Sequence, residues 1–359
     1  MVCFFKTAKG WFSLTLLISV GLVTSPYHLD GVSFYVKETV KTLDQVSCHD
    51  ETFFAEDETF VPGLGLTGYR YPKFWNHQPP NAAAHPSPVV VGVLSVGHLP
   101  EPRNVIRATW AFGHANVFFL VSGNWTESLE REFAQHGDLL WVDSPESYRA
   151  ITAKVITWLA AAHKHFPGRA VMKTDDDSYV RMTALQALVE EKVIKKKESL
   201  YTGLNCDRPQ RARRDPEDAF FVPHELWNDT FYPPYAVGGG YLLSADLNAC
   251  SIQGMEMNHQ NDSMVFPIED AFVGILVQEG CASLQNNCTV DQRFRSGYWF
   301  PTAQMIENLI VLHNLNRAKG IKGPELMLRM HKHACCENES IKTDPLFVRD
   351  SISCRTVVC

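Results

Sequence analysis

From about residue 89 onward, apolar and polar positions repeat with two alternating periods. VVVGVLSV at 89–96 is an apolar run rich in β-branched residues, suited to a parallel strand covered on both faces. Helix-period and strand-like segments then take turns. The pattern predicts helix over 104–110, strand over 115–121 and an amphipathic helix over 126–136 opened by a Thr126 cap. Strand over 138–142, a long helix over 148–165, strand over 170–173 and helix over 182–196 follow. This rhythm predicts an α/β fold with a doubly wound, mostly parallel sheet and its ligands at the carboxyl ends of the strands. Beyond residue 199 the pattern loosens, and 208–217 reads as a solvated charged loop containing Arg211, Arg213 and Arg214.

The amino-terminal third differs. Lys6 and Lys9 precede an uncharged, mostly apolar stretch over 11–23, and counting from 10 to 27 just reaches a membrane-spanning length. The lysines on its amino side place the bulk of the chain on the luminal or extracellular side. A cleaved signal peptide is the rival reading, although no small-x-small cleavage site stands out. The organisation expected is a tail at 1–9, a signal anchor at 10–27, a stem at 28–87 ending in the linker PPNAAAHPSP, and a catalytic domain at 88–359.

Nine of the ten cysteines lie beyond the apolar stretch, and their spacing fits no zinc framework. Disulfides in an oxidising compartment account for them better, with the pairing open. Sequons at Asn124, Asn228, Asn261, Asn287 and Asn338 would be glycosylation acceptors there. A net charge of −7 argues against a nucleic-acid binder working through a basic field. No G-x-G-x-x-G follows the first strand and no G-x-x-x-x-G-K-[ST] occurs, which disfavours Rossmann dehydrogenases and P-loop enzymes.

The chemistry concentrates in three segments. In AVMKTDDDSYV at 170–180 an apolar strand runs into three consecutive carboxylates. Their mutual repulsion calls for a compensating cation, such as Mn²⁺ or Mg²⁺ bridging a nucleotide diphosphate, unless the run is merely an acidic surface turn. YPPYAVGGGYLLS at 232–244 joins rigid prolines and aromatics to a triple glycine. Glycines admit a close ligand and tyrosines suit sugar faces, with a plain glycine-rich turn as the alternative. PIEDAFVG at 267–274 sets two acids at a helix start, where they either favour the helix dipole or supply a general base.

Together these segments resemble a family. RNVIRATW at 103–110 matches the R-x-x-I-R-x-T-W motif of the inverting β-1,3-glycosyltransferases, the Golgi galactosyltransferase superfamily. SYRAITAK at 147–154 is similar to its D-S-Y-x-N-L-T-x-K, KTDDD at 173–177 to its K-x-D-D-D, 232–244 to its Y-P-P-Y-x-x-G-x-G-Y-x-L-S, and EDAFVG at 269–274 to its E-D-V-x-x-G. The resemblance spans about residues 89–315. It implies a GT-A fold, a UDP-sugar donor, Mn²⁺ and a single-pass type II Golgi membrane topology with a luminal catalytic domain. The acceptor it implies is a glycan on a glycoprotein, proteoglycan or glycolipid. QHGDLL at 135–140 and CC at 335–336 resemble the branch that builds the glycosaminoglycan linker, which suggests galactose transfer.

By that resemblance Asp177 binds the metal directly, while Asp175 and Asp176 hold ribose or metal-bound water. Asp270 is the base that deprotonates the acceptor hydroxyl. His313 completes the metal site or is a structural histidine. Arg103, Arg107, Lys154 and Lys173 fall on the donor side, with packing or ion pairing an equal reading for the first three. Tyr235, Gly239, Gly240, Tyr241 and Glu269 fall on the sugar and acceptor side. Ala150 replaces the motif's Asn, and Ala219-Phe220 stands where a K-W pair precedes Y-P-P-Y. Three alternatives remain: N-acetylglucosamine or N-acetylgalactosamine as the donor sugar, a non-catalytic chaperone or binding protein on the same scaffold, and a metal-dependent phosphohydrolase.

Overall fold

The computed structural model describes residues 2–7, 10–15, 54–57, 69–72, 87–206, 208–258, 266–284, 288–297, 301–315 and 323–336. Strands β1 (Val2–Thr7) and β2 (Gly10–Thr15) form an antiparallel hairpin. Residues 10–15, the start of the expected membrane anchor, are thus strand, and 16–27 lie outside the described residues. No helix among the described residues is long and apolar enough to cross a membrane.

Within the expected stem, β3 (Phe54–Asp57) and β4 (Tyr69–Pro72) lie at one end of a nine-stranded sheet. Then come β5 (Val89–Leu94), α1 (Pro100–Arg107), β6 (Val117–Ser122), α2 (Glu127–His136), β7 (Leu139–Val142) and α3 (Ile151–His165). The chain continues through β8 (Ala170–Asp175), β9 (Tyr179–Val180) and α4 (Met182–Val189), which winds on as a π-helical turn at Glu190–Lys195. Next are β10 (Tyr201–Gly203), β11 (Gly240–Leu243), α5 (Ala245–Asn258) and α6 (Glu269–Gly280). Last come β12 (Cys288–Val290), β13 (Phe294–Ser296), α7 (Ala303–Asn308), β14 (Val311–His313) and α8 (Gly323–Cys336).

Thr126 caps α2 as expected, its hydroxyl accepting from Leu129 N. The large sheet runs β12-β10-β11-β8-β5-β6-β7-β4-β3. Its centre, β8-β5-β6-β7, is parallel, as the alternating pattern predicts. The sheet is mostly parallel, as expected, but mixed: β4 pairs antiparallel with β7, and β11 enters antiparallel to both β8 and β10. The reversal has a use: the carboxyl end of β8 lies beside the amino end of β11, with Thr174 opposite Gly240.

The sheet buries both faces. On β5, Val89, Val91 and Val93 face one apolar cluster and Val90 and Leu94 the other. Gly92 leaves the slot that the Trp158 indole fills: an added Cβ there would lie 2.6 Å from the ring. A second sheet, β13-β14-β9, closes over the carboxyl end of β8. Disulfides join Cys206–Cys288 and Cys250–Cys281, tying β12 to the loop after β10, and α5 to the end of α6.

Candidate functional site

β5 and β8 run parallel with Leu94 opposite Asp175, so Ser95 and the acidic triplet emerge at one edge. The triplet is a pinned turn. Asp176 N donates to Leu94 O at 3.1 Å, Trp110 Nε1 donates to Ser178 O at 3.0 Å, and Leu315 N donates to Asp177 O at 3.0 Å. The tryptophan of the RNVIRATW block therefore secures the turn from beneath.

Asp175, Asp177 and His313 converge there. Each offers a ligand atom, and the three atoms lie within 4.8 Å of one another, the one such group among the described residues. His313 Nδ1 sits 3.0 Å from Asp177 Oδ1 and 3.8 Å from Asp175 Oδ2. Asp177 Oδ1 is buried and receives no hydrogen bond. Two carboxylates and an imidazole with an unsatisfied buried oxygen fit a hard or borderline divalent cation. Gly239 makes the convergence possible, since a Cβ there would stand 2.4 Å from the His313 ring. The Ser178 hydroxyl donates to Gly239 O and lies 3.2 Å from His313 Nδ1.

Asp176 points the other way, accepting from Ser95 Oγ at 2.9 Å. Burial, with Asp175 and Asp177 adding repulsion, pushes its carboxyl up to about 6 against that hydrogen bond.

Lys173 links this group to a second acidic pair. It is 2% exposed, and its ammonium lies 2.9 Å from Asp175 Oδ1 and 3.1 Å from Glu269 Oε2 while donating to Gly238 O. Burial disfavours its charge, but Asp175 and Glu269 outweigh that and hold it protonated. Glu269 also accepts from Tyr241 Oη at 2.6 Å. Burial raises its carboxyl, and Lys173 and Tyr241 oppose the rise.

Asp270 is the second residue of α6, where Gly238 N donates to its Oδ2 at 3.0 Å and Ala271 N to its Oδ1 at 2.9 Å. Two backbone donors and the amino end of a helix favour its charge. Burial prevails, reinforced by Glu269, and pushes the group up to about 7. A half-buried carboxyl oriented through both oxygens and poised near neutrality has the properties of a general base.

Other expected positions fall elsewhere. Arg103 is fully buried and spends its guanidinium on Glu132, Ser95 Oγ and the carbonyls of Val96, Gly97 and Leu99. Arg107 pairs with Asp138 and Glu132 and lies over the Phe119 ring. Lys154 is buried between Glu146 Oε1, at 2.7 Å, and Ser95 O, at 3.0 Å. All three side chains are thus in ion pairs, and Arg103 and Lys154 also hold the loop after β5. Tyr241 is wholly buried and Tyr235 nearly so, its Cβ against Gly274, so neither ring offers a face to a sugar. Gly240 is buried within β11, where a Cβ would meet Val311. Asn124 and Asn228 are exposed; Asn261, Asn287 and Asn338 lie outside the described residues.

Sequence reasoning passed over Ser95, Glu146 and Ser178, which contact Asp176, Lys154 and His313. Ser95 ends the apolar run of β5, a placement that could have marked it as a residue of the sheet's ligand edge.

Known proteins resemble this chain in sequence. A hydroxyproline O-galactosyltransferase of Arabidopsis thaliana is 27% identical over 72% of this chain and 38% of its own length. A UDP-GlcNAc:betaGal beta-1,3-N-acetylglucosaminyltransferase of Rattus norvegicus is 29% identical over 58% of this chain and 54% of its own length. Beta-1,3-galactosyltransferase 4 of Homo sapiens is 31% identical over 50% of this chain and 57% of its own length. The chain spans less than two thirds of the length of each. Among solved structures, a galactosyltransferase with donor and acceptor sugar analogues aligns over 72% of this chain and 97% of its own at 14% identity, with a TM-score of 0.34. The sequence profile of the galactosyltransferase family covers residues 101–287, a span that holds the acidic turn, the glycine run and Asp270, and the chain belongs to that family.

Proposed function

We propose that the protein is an inverting glycosyltransferase of GT-A architecture that moves a hexose from a UDP-sugar to a glycan hydroxyl in a β-1,3 linkage, with galactose as the sugar. The observation that carries the proposal is Asp270: a carboxyl pushed up to about 7 and held by two backbone donors, across Lys173 from the Asp175, Asp177 and His313 group. A divalent cation bound by those three residues, Mn²⁺ in this proposal, would supply positive charge to a leaving diphosphate. Asp270 takes the proton of the attacking hydroxyl at one of its carboxylate oxygens, and a single displacement inverts the anomeric centre. Lys173 and Glu269 fix the charge around Asp270, and Tyr241 fixes Glu269.

Membership of the galactosyltransferase family supports galactose as the sugar. N-acetylglucosamine is the second reading, supported by the named N-acetylglucosaminyltransferase among the relatives. A type II anchor at 10–27, a Golgi location and glycoprotein, proteoglycan or glycolipid acceptors complete the proposal. The test incubates the protein with UDP-galactose, UDP-N-acetylglucosamine or UDP-N-acetylgalactosamine, with and without Mn²⁺, and follows UDP release and acceptor mass. A Mn²⁺-dependent gain of one hexose supports it, a gain of one N-acetylhexosamine selects the second reading, and no turnover with any donor overturns both.

A further inference from the structure

Two large aromatic side chains stand in water beside the site without contributing to the core. Tyr148 is 59% exposed and Phe220 is 47% exposed, and their rings meet edge to face with centroids 6.2 Å apart. Each comes from a segment anchored near Asp270. Tyr148 opens the 3-10 turn Tyr148–Ala150 that leads into α3, and Thr152 at the top of α3 donates to Phe266 O at 2.7 Å, four residues before Asp270. Phe220 sits in the loop between β10 and β11, which is stapled rather than loose. Arg214 donates to the carbonyls of Val222, Trp227 and Asp229, and Phe220 N donates to Asp218 Oδ1. The same loop runs on to Tyr235, which rests on Gly274 of α6. Two rigid segments thus meet in an open aromatic corner beside the proposed base.

We infer that Tyr148 and Phe220 form the wall on which the apolar ring face of the acceptor sugar rests while its hydroxyl meets Asp270. An edge-to-face pair leaves one aromatic face open, and a pyranose presents a complementary patch of C–H bonds. The occupant is the acceptor rather than the donor. Both segments are fastened at the helix that carries Asp270: Thr152 donates to Phe266 O just ahead of it, and Tyr235 lies against Gly274 within it. The donor's diphosphate belongs at the cation group, whereas only the acceptor hydroxyl must reach Asp270. The inference rests on the transferase reading above and assigns the acceptor subsite within it.

The test uses the full chain, its preferred UDP-sugar, and methyl β-glycosides of galactose and N-acetylglucosamine, which lack an aromatic aglycone that could stack by itself. Tyr148→Ala and Phe220→Ala should each raise the acceptor KM about tenfold, the scale of one lost stacking contact. Donor KM and donor hydrolysis without acceptor should stay within twofold. Tyr148→Phe and Phe220→Tyr should restore most of the acceptor affinity, which a role in folding alone would not require. Ile194→Ala, an exposed apolar side chain on the π-helical turn, is the control. An unchanged acceptor KM in both alanine variants, or a rise confined to donor KM, overturns the wall and leaves the transferase reading standing. Absence of donor turnover in the unaltered protein removes both together.

Discussion

Replacing Asp270 with Asn removes the proton acceptor and changes almost nothing in volume. The carboxyl ordinarily titrates near 3.8 and here is pushed up to about 7, so its ionised fraction rises from about one tenth at pH 6 to about nine tenths at pH 8. A base works only when ionised, and kcat/KM of the unaltered protein should therefore climb about tenfold across that interval. Of the groups around Asp270, Lys173 is held protonated, and Tyr148 and Tyr235 are pushed above the usual tyrosine range. Glu269, beside Asp270, and Asp176, in the acidic turn, are both pushed up by burial and could add to the climb; Glu269→Gln and Asp176→Asn separate them.

Asp270→Asn should cut kcat by about 10²–10⁴-fold, keep donor KM within about twofold and abolish the climb. Stability gives an independent readout. Because the folded carboxyl holds its proton from pH 3.8 up to about 7 while the unfolded chain releases it, folding stability contributed by this group is complete below 3.8 and declines as pH rises through 7. Urea unfolding at pH 5 and pH 8 should show that decline in the unaltered protein and a smaller one in the variant. A variant with turnover within tenfold of normal, or one that keeps the tenfold climb, would refute Asp270 as the base.

Lys173→Met leaves Asp175 and Glu269 without their shared buried cation, and urea unfolding should show a loss of about 3–5 kcal/mol; an unchanged midpoint would show that the ammonium is not holding them. Gly239→Ala would place a methyl group 2.4 Å from the His313 ring, so calorimetric titration with MnCl2 should show binding weakened about 10–100-fold with the circular dichroism spectrum retained. Equal affinity would take His313 out of the cation group. Cys250→Ser opens a cross-link spanning 31 residues and should cost about 3–4 kcal/mol, read as a lower thermal midpoint, which reductant should then lower only by what Cys206–Cys288 contributes.

Much of this molecule is legible in its residues because period and composition report local structure. The apolar run of β5, the Thr126 cap and the strand that breaks into three aspartates all lie where their patterns put them. Strand direction is different, because a four-residue run such as that of β11 reads the same whichever way it lies in the sheet. The arginines mark a second limit. Nothing local separates a guanidinium awaiting a phosphate from one already committed, and Glu132, 29 residues away, commits Arg103. Tyrosines mark a third: in the glycine-rich segment they look like sugar platforms, yet Tyr241 is buried against Glu269, while Tyr148, in a plainer context, is the one in water.

His313 arrives on β14, whose antiparallel partner β9 follows directly on the acidic turn. A ribosome therefore delivers Asp175, Asp177 and Asp270 well before the strand that completes the cation group. Until residue 311 emerges, β9 lacks the edge it pairs with, and the apolar side chains of Val311 and Leu312 are missing from their cluster. A nascent chain stopped after α6 would carry the acids of the centre and both disulfides' first partners yet still lack an imidazole over the turn, so maturation of the centre waits on β14.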